Sequence, residues 1–187
     1  MDKKGSMEKI LAIVGSTNPN SVNKKLVNYI TGFFEDSDVK LQDWTHFDVP
    51  VYTYELEKER GFPVDIRIFK NTLDQYEALI LAVTEHNMSI PGFLKNIFDW
   101  LSQMDSKFLN GKKVLLMSTS EDEKGSIHAL EYMKKLLPSF GAEVIESFSL
   151  PYFSKNYDEQ ENTLKDQILL LGLKEVLTHF EQRIKLS

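Results

Sequence analysis

Runs of consecutive apolar residues constrain the fold of this chain more than any other feature. Residues 10–14 read Ile-Leu-Ala-Ile-Val, residues 78–83 read Ala-Leu-Ile-Leu-Ala-Val, and residues 113–118 read Lys-Val-Leu-Leu-Met-Ser. A strand without polar alternation is typical of a parallel sheet whose two faces are both covered. Two further strands are predicted at 39–44, near an edge, and at 142–148. With helices between the strands, the pattern predicts an α/β fold, a three-layer sandwich around a five-stranded parallel sheet.

Apolar residues at helical spacing fill the intervals between these strands. They predict five helices, which are the segment that begins at residue 22, then 65–75, 93–101, 127–137 and 164–184. Gly141 is expected to end the fourth helix as a glycine C-cap does. The remaining segments are predicted to be irregular, namely 46–51, 52–63 with one helical turn, and the long polar loop 151–162.

Length and composition narrow the class of protein. The 187 residues suit one domain, which we place at 7–187, with 1–6 as a disordered leader and Met7 as the natural start. The net charge of −6 and the scattered lysines argue against nucleic-acid binding. The absence of cysteine excludes disulfides and thiolate catalysis, and the isolated histidines indicate no metal site. No membrane span or signal segment is evident, so a cytoplasmic protein is predicted.

The loop after the first strand carries candidate binding chemistry. Residues 15–21 are small and polar, and the next helix begins directly after them. A helix N-terminus attracts anions, and side-chain donors surround this one at Ser16, Asn18, Ser21 and Asn23. The loop lacks both the Gly-Lys-Ser/Thr of a P-loop and a second glycine, which favours a single mononucleotide phosphate. The alternative is a simple turn in which Ser21 is only an N-cap.

Three loops are expected to meet at one edge of the sheet. Residues 15–21, 84–91 and 118–126 each follow one of the apolar strands. Because ligands of open parallel sheets bind beyond the carboxyl ends of strands, where the strand order reverses, these loops are predicted to form a common site. This placement favours the phosphate cradle over the simple turn.

Two motifs in these loops resemble those of the NADPH-dependent FMN reductase family of flavodoxin-like proteins, which includes quinone, azo-dye and chromate reductases. The first family motif has the form Gly-Ser-x-Arg-x-x-Ser-x-Asn-x-x-Leu, and residues 15–26 read Gly-Ser-Thr-Asn-Pro-Asn-Ser-Val-Asn-Lys-Lys-Leu. The second has the form Pro-Glu-Tyr-Asn-x-Ser-x-Pro-Gly-x-Leu-Lys-Asn-x-x-Asp-Trp. Residues 84–100 match most of it, as Thr-Glu-His-Asn-Met-Ser-Ile-Pro-Gly-Phe-Leu-Lys-Asn-Ile-Phe-Asp-Trp. The resemblance extends over about 10–153.

The resemblance implies a flavodoxin-like fold, FMN as cofactor, NADPH or NADH as electron donor, and a set of binding residues. The FMN phosphate would be held by Ser16, Asn18, Ser21, Asn23 and the backbone N–H of Val22. The isoalloxazine edge would lie along the second loop, at Thr84, Glu85, His86, Asn87 and Met88, and against the third, at Ser118, Thr119 and Ser120. Family members are dimers or tetramers. Support of the fold and of a subunit interface would fall to Lys95, Asn96, Asp99 and Trp100.

The chain departs from the family pattern in three respects. Asn18 stands in place of arginine, which removes a charge-assisted contact to phosphate. Thr84 replaces proline and His86 replaces tyrosine. The glycine-rich loop after the fourth strand is replaced by Ser-Thr-Ser-Glu-Asp-Glu-Lys-Gly-Ser at 118–126. Side chains there restrict how closely the backbone approaches a flavin ring, and carboxylates oppose the charge of a reduced flavin and of a nicotinamide 2′-phosphate.

The sequence is therefore compatible with three functions. The first is an FMN-dependent NAD(P)H oxidoreductase that reduces a quinone, azo compound, free flavin or similar small-molecule acceptor. The second is a flavodoxin-like electron carrier, and the third is a binding or scaffold protein that has lost flavin. The nearly intact second motif favours the first. Because the flavin carries the chemistry, no catalytic side chain is assigned, and His86 is read as a structural hydrogen bonder. A homodimer or homotetramer is expected.

Overall fold

A computed structural model describes residues 7–44 and 46–186. The leader predicted at 1–6 lies outside the described residues. The strands are β1 (Glu8–Gly15), β2 (Ser37–Leu41), β3 (Ala78–Val83), β4 (Lys113–Thr119), β5 (Glu143–Leu150), β6 (Tyr157–Asp158) and β7 (Thr163–Leu164). The helices are α1 (Val22–Thr31), α2 (Tyr54–Arg60), α3 (Val64–Leu73), α4 (Gly92–Met104), α5 (Ile127–Leu136), α6 (Phe153–Asn156) and α7 (Gln167–Lys185), and a 3-10 turn covers Leu137–Phe140.

The central sheet has five parallel strands in the order β2-β1-β3-β4-β5. The order reverses between β1 and β3, since the chain leaves β1 toward β2 and then crosses back. This is the doubly wound arrangement of flavodoxin-like proteins, whose ligands bind at that reversal. The predicted three-layer α/β fold with a five-stranded parallel sheet is confirmed.

Helices cover both faces of this sheet, which explains the unbroken apolar runs. Leu11 and Ile13 of β1 belong to a core shared with α3, α4 and α5, whereas Ile10 and Val14 belong to a core shared with α1 and α7. All four side chains are buried. Every second residue would be polar if one face met solvent, so the alternation is absent because neither face does.

The structure corrects the sequence prediction in three segments. The second strand is Ser37–Leu41 rather than 39–44, and Trp44 lies beyond it, where its indole N–H donates to the carbonyl oxygen of Val14 at 2.8 Å. The region 52–63 holds the seven-residue helix α2, whose first turn is capped by the hydroxyl of Thr53. The loop 151–162 contains α6 and the strand β6, which pairs with β7.

The last helix also begins later than predicted, at Gln167, because Asp166 caps it by accepting from the N–H groups of Ile168 and Leu169. Gly141 does end the preceding helical segment, with a φ of 94°. No helix in the described ranges is both long and apolar enough to span a membrane.

Residues of α4 fix the chain between β2 and α2, as expected for a supporting role in the fold. The indole N–H of Trp100 and the amide of Asn96 both donate to the carbonyl oxygen of Pro50, at 2.8 and 2.9 Å. The backbone N–H of Tyr52 donates to the Asn96 side chain at 2.8 Å. Trp100 is fully buried, so this segment is held against the core by an anchor that water does not reach.

Candidate active site

A cavity of about 520 Å³ lies beyond the carboxyl ends of β1, β3 and β4. It is formed by the three predicted loops, and ten of the predicted binding residues line it, namely Ser16, Asn18, Ser21, Val22, Asn23, Thr84, Glu85, His86, Thr119 and Ser120. Asn87, Met88 and Ser118 do not line it. The lining also includes residues without a predicted binding role, namely Thr17, Asn20, Pro91, Gly92, Phe93, Glu121 and Ser126.

The N-terminus of α1 opens into this cavity. Ser21 occupies the N-cap position, but its hydroxyl makes no capping bond, and the first turn carries no acidic residue. None of the described residues accepts a hydrogen bond from the backbone N–H of Val22 or Asn23. The loop therefore leaves the helix start available to an anion, and a turn with Ser21 as mere N-cap does not describe it.

The first loop holds its shape by local hydrogen bonds. The backbone N–H of Asn18 donates to the Ser16 hydroxyl at 3.2 Å, and that of Asn20 donates to the Asn18 side chain at 2.9 Å. Both acceptors are oxygens, so the hydroxyl hydrogen of Ser16 and the NH₂ group of Asn18 are left to serve as donors. At the start of the loop, a Cβ on Gly15 would come within 2.8 Å of the Leu94 side chain, so a larger residue there would require Leu94 on α4 to shift.

Asn23 joins α1 to the end of β4. Its side chain accepts from the backbone N–H of Thr119 at 3.0 Å and donates to the Thr119 carbonyl oxygen at 3.1 Å. A longer bond of 3.4 Å leads to the hydroxyl of Thr84. Asn23 is 1 % exposed, and its amide is fully engaged, so the side chain positions the three loops relative to one another.

The loop after β3 turns back on itself in a tight hairpin. His86 and Ser89 exchange two backbone hydrogen bonds of 2.8 and 3.0 Å, and the residues between them, Asn87 and Met88, have φ values of 51° and 63°. Positive φ at both central positions defines a type I′ turn. The turn carries Asn87 and Met88 away from the cavity lining, and Met88 is exposed.

The carboxylate of Glu85 caps α5 from this same loop. It accepts from the backbone N–H groups of His128 and Ala129 at 2.9 and 3.1 Å, and it faces the Nδ1 atom of His128 at 3.0 Å. A carboxylate at a helix N-terminus is favoured by the unpaired N–H groups and by the helix dipole. Glu85 thus fixes the wall of the cavity against α5.

The acidic loop after β4 is ordered by hydrogen bonds. The carboxylate of Glu121 accepts from the backbone N–H and the hydroxyl of Ser154, at 3.0 and 2.8 Å. Asp122 accepts from the N–H of Lys124 and from the Ser120 hydroxyl, and these bonds lower the pKa of its carboxyl group. Two of the three acidic side chains are therefore bonded partners within the fold, although Glu121 still borders the cavity.

The base of this loop is held by buried hydroxyls. Ser118 donates to the carbonyl oxygen of Gly125 at 2.7 Å, and Ser126 donates to that of Thr119 at 3.0 Å. The hydroxyl of Ser118 points inward to this bond, which explains why the residue is absent from the lining. Among the described residues, no cluster of three or more histidine or acidic side chains could hold a metal ion.

These features fit a mononucleotide. The cavity volume lies in the range of small-molecule sites, and its lining contains neither lysine nor arginine. A phosphate would be held by the α1 N-terminus and neutral donors at one end, while Phe93 and the backbone of the β3 loop border the space for a ring system. The donors therefore suit a single terminal phosphate, and the remaining space suits a flat, partly apolar group attached to it.

Comparison with known proteins defines the class as flavodoxin-like flavoenzymes. Residues 8–155 match the sequence profile of the NADPH-dependent FMN reductase family. The quinone reductase of Escherichia coli K12 is 30% identical over 144 residues, which cover 74% of this chain and 77% of that protein. An NAD(P)H-dependent FMN reductase of Pseudomonas aeruginosa is 27% identical over 130 residues, covering 69% of each chain. The chain belongs to the NADPH-dependent FMN reductase family.

Solved structures agree on the fold. The flavoenzyme NAD(P)H:acceptor oxidoreductase FerB from Paracoccus denitrificans superposes with a TM-score of 0.71 at 21% identity, covering 94% of this chain and 98% of that one. The NADH:FMN oxidoreductase EmoB, in its apo form, superposes with a TM-score of 0.67 at 21% identity, covering 95% and 90%.

The family and the sequence relatives define the activity. The chain is an oxidoreductase with FMN as cofactor and NAD(P)H as electron donor, and the enzyme hypothesis is confirmed over the carrier and the scaffold.

Proposed function

We propose that FMN binds in the cavity formed by the three loops, with its phosphate at the N-terminus of α1, and that the enzyme passes electrons to a quinone or a similar small acceptor. The observation that carries the proposal is the open helix start. The N–H groups of Val22 and Asn23 face no acceptor among the described residues, and they border a cavity without any cation. A phosphate satisfies those donors and the helix dipole together.

The binding residues divide into two roles. We propose that the phosphate contacts four groups near the N-terminus of α1, because each offers a hydrogen-bond donor there. They are the side chains of Ser16, Asn18 and Ser21 and the backbone N–H of Val22. Asn23 is proposed to contribute its backbone N–H only, since its side chain is engaged by Thr119. Four neutral donors and a helix dipole would replace the arginine that many relatives have at residue 18.

The ring is proposed to lie between the β3 loop and the β4 loop. Bound FMN supplies hydride transfer in this family, and the protein supplies position, orientation and electrostatics. His86 holds the β3 loop in shape by its paired backbone bonds with Ser89. Thr84, Glu85 and His86 are proposed to border the ring, whereas Asn87 and Met88 lie at the tip of the turn, outside the cavity lining. Thr119 and Ser120 bound the opposite side, and Ser118 supports them from beneath.

A quinone is the acceptor class with the most support. The Escherichia coli relative is a quinone reductase, and a Burkholderia relative that is 28% identical over 127 residues is a 2-hydroxy-1,4-benzoquinone reductase. An azo compound or free flavin would suit the same exposed ring face.

We also propose that the reaction takes place in the cytoplasm. Its reactants, reduced nicotinamides and quinones, are small solutes, and the nicotinamide donor is regenerated there.

A homodimer or homotetramer is proposed for the assembly. Four large apolar side chains are exposed on one stretch of the chain that spans the segment before α2, α2 itself and α3, and they are Val51, Tyr54, Val64 and Ile68. Contiguous exposed apolar surface is typical of interfaces, and we propose that these four side chains contribute to such a surface. Sedimentation or light scattering of the purified chain tests the proposal, and a monomer at micromolar concentration contradicts it.

The visible absorption spectrum tests the enzyme function directly. The purified chain is expected to show flavin bands after addition of FMN, to lose them when NADPH or NADH is added without oxygen, and to regain them with a quinone. Bands that persist with both nicotinamides contradict the reductase. If no flavin binds at all, the proposed site is wrong.

The placement of the phosphate is tested by Val22→Pro. Proline is tolerated at the first position of a helix, and the extended φ and ψ of Ser21, −59° and 131°, suit a residue before proline. The substitution removes one N–H and keeps the helix. We expect affinity for FMN to fall about tenfold, because a charge-assisted bond is lost, and affinity for riboflavin to stay unchanged. Val22→Ala, which keeps the N–H, is the control. Equal loss for both flavins would place the phosphate elsewhere.

A further inference from the structure

A second cavity lies on the other side of the first loop, beyond β1 and β2. Its volume is also about 520 Å³, equal to that of the proposed flavin cavity. Ser16, Thr17 and Asn18 line both cavities, so the loop forms a partition between them. A ligand that extends beyond the phosphate end of the flavin site would cross this partition and enter the second cavity.

One wall of the second cavity is apolar and rigid. It includes Leu41 and Trp44. The ring of Trp44 is fixed by its N–H bond of 2.8 Å to the carbonyl of Val14 and by edge contacts with Phe69 and Phe93, at centroid distances of 5.1 and 5.6 Å. Phe93 also lines the flavin cavity, so the same aromatic cluster borders both spaces. A fixed, half-exposed indole suits contact with a flat heterocycle.

Charged side chains that suit a nucleotide also line the second cavity. Lys24, in the first turn of α1, makes no hydrogen bond or ion pair with any residue in the described ranges, although it borders the cavity. Its neighbour Lys25 points away and pairs with Glu159 at 2.5 Å. Asp43 stands just after β2, which is the place where dinucleotide-binding sheets position an acidic residue for ribose hydroxyls.

We propose that this second cavity binds the adenosine diphosphate half of FAD, so that the enzyme accepts the flavin dinucleotide as well as FMN. The inference rests on the proposed function, since it requires the flavin phosphate at the N-terminus of α1. In this arrangement the second phosphate meets Lys24, the ribose meets Asp43, and adenine lies on the wall that contains Trp44. The flavin ring keeps its place between the β3 and β4 loops.

The shared partition favours FAD over the adenosine half of the electron donor. The residues common to both cavities are those of the phosphate cradle, and no residue of the β3 or β4 loops lines the second cavity. The second cavity thus continues from the phosphate end of the flavin and not from the ring, where a nicotinamide must lie to transfer hydride. FMN alone leaves it without an occupant.

Calorimetric titration of the flavin-free chain with FMN and with FAD tests the proposal. The wild-type chain is expected to bind FAD at least as tightly as FMN. Lys24→Gln should weaken FAD about tenfold, as expected for loss of one charge-assisted contact, and leave FMN within about twofold. Lys25→Gln is the matched control, because it removes the adjacent charge from the same helix turn, and it should change neither affinity.

A second variant guards against an indirect effect of charge. Gln42→Trp places a bulky side chain in the second cavity and should weaken FAD binding relative to the wild-type chain while the affinity for FMN stays unchanged. FAD rejection by a wild-type chain that binds FMN overturns the inference and leaves the proposed function standing. An equal loss of affinity for FMN and FAD in Lys24→Gln also overturns the inference, because the amine of Lys24 would then contact the phosphate that both flavins share. Failure of both flavins to bind overturns the proposed function too.

Discussion

Glu85 serves the active site by holding the fold around it. Its carboxylate is only 18% exposed and accepts two backbone N–H groups at the start of α5. We expect Glu85→Ala to lower the free energy of unfolding by about 2 kcal/mol, since an N-terminal cap and its charge are lost. Glu85→Gln should cost about half as much, because one amide oxygen can still accept both N–H groups while the charge and the carboxylate contact with His128 are lost. Urea denaturation measures both.

Glu123→Ala is the matched control for this prediction. Glu123 belongs to the acidic loop, is exposed, and makes no hydrogen bond within the described ranges. Its removal should change stability by less than about 0.5 kcal/mol. Equal effects at Glu85 and Glu123 would show that the cap contributes nothing.

Met88 is predicted to be a strained residue whose replacement stabilises the protein. It occupies the second central position of a type I′ turn, with a φ of 63°, and its side chain is 67% exposed. Left-handed backbone costs a non-glycine residue about 1 kcal/mol, and Asn-Gly is the preferred pair for this turn. Met88→Gly should therefore raise the melting temperature by a few degrees, whereas Asn87→Ala should lower it. A lower melting temperature for Met88→Gly would mean that the side chain makes contacts essential to stability.

Single residues could be predicted from the sequence only where a local pattern defines them. Ser21 precedes a helix at cap position, and its placement at the cavity follows from its place in the chain. Asn23 bonds to Thr119, which is 96 residues away in the chain, and Glu85 bonds to the start of α5, which is 43 residues away. No local spacing in the sequence predicts these bonds. Position in a motif therefore places these residues at the predicted site, and they line the cavity there, but it does not reveal their supporting roles.

The loop after β4 depends on one glycine for its approach to β5. Gly125 has a φ of 58°, and a Cβ there would lie 2.4 Å from the Ser149 hydroxyl and 3.0 Å from the Leu150 backbone. We expect Gly125→Ala to cost about 3 kcal/mol or more, as strain and overlap add. Thermal unfolding and FMN affinity should both decline, since this loop bounds the cavity.

Two other glycines separate the causes. Gly111 has a φ of 72° but open space around its Cβ position, so Gly111→Ala should cost only about 1 kcal/mol, the strain alone. Gly172 lies within α7 with nothing near, so Gly172→Ala should stabilise by about 1 kcal/mol through helix propensity. If Gly125→Ala proves no worse than Gly111→Ala, the close approach to β5 is not required.

Elements were predictable where burial enforces a pattern. The central strands and the helices that cover them carry apolar residues at the period of their structure. Helix α2 has no buried residue, so its sequence shows no apolar stripe and only the cap at Thr53 marks its start. Strands β6 and β7 have two residues each, which is too short for alternation to be visible.

At the scale of the whole molecule, the fold follows from the two covered faces of the sheet. Each apolar run supplies alternate residues to two separate cores, and the strand order brings three loops to one edge. The sequence predicts this much, because a parallel sheet requires crossover helices on both sides. It does not predict that one loop partitions two cavities of equal volume, since that depends on how the chain after β2 packs against Phe69 and Phe93.

Stability at alkaline pH is set by ionisable groups in several parts of the fold. Burial raises the pKa of Tyr76 and Tyr157 above the ordinary 10.0, and a hydrogen bond to Glu57 raises that of Tyr52. Their stabilising contribution is complete below pH 10 and is lost as pH rises through the folded-state values, because the unfolded chain releases these protons first. Burial lowers the pKa of Lys112. The contribution of this lysine to the free energy of unfolding therefore changes in the opposite sense and increases as pH rises toward 10.5.

Three tyrosines oppose one lysine, so we expect the free energy of unfolding to fall as pH rises above 10. Tyr157→Phe removes one of the three groups. It should cost about 1 kcal/mol at pH 8, where the phenol loses its 2.5 Å bond to Asn162, yet show a shallower decline above pH 10. Urea denaturation of the wild-type chain and of Tyr157→Phe across pH 8 to 11 measures both slopes, and a common slope would mean that Tyr157 titrates alike in the folded and unfolded chain.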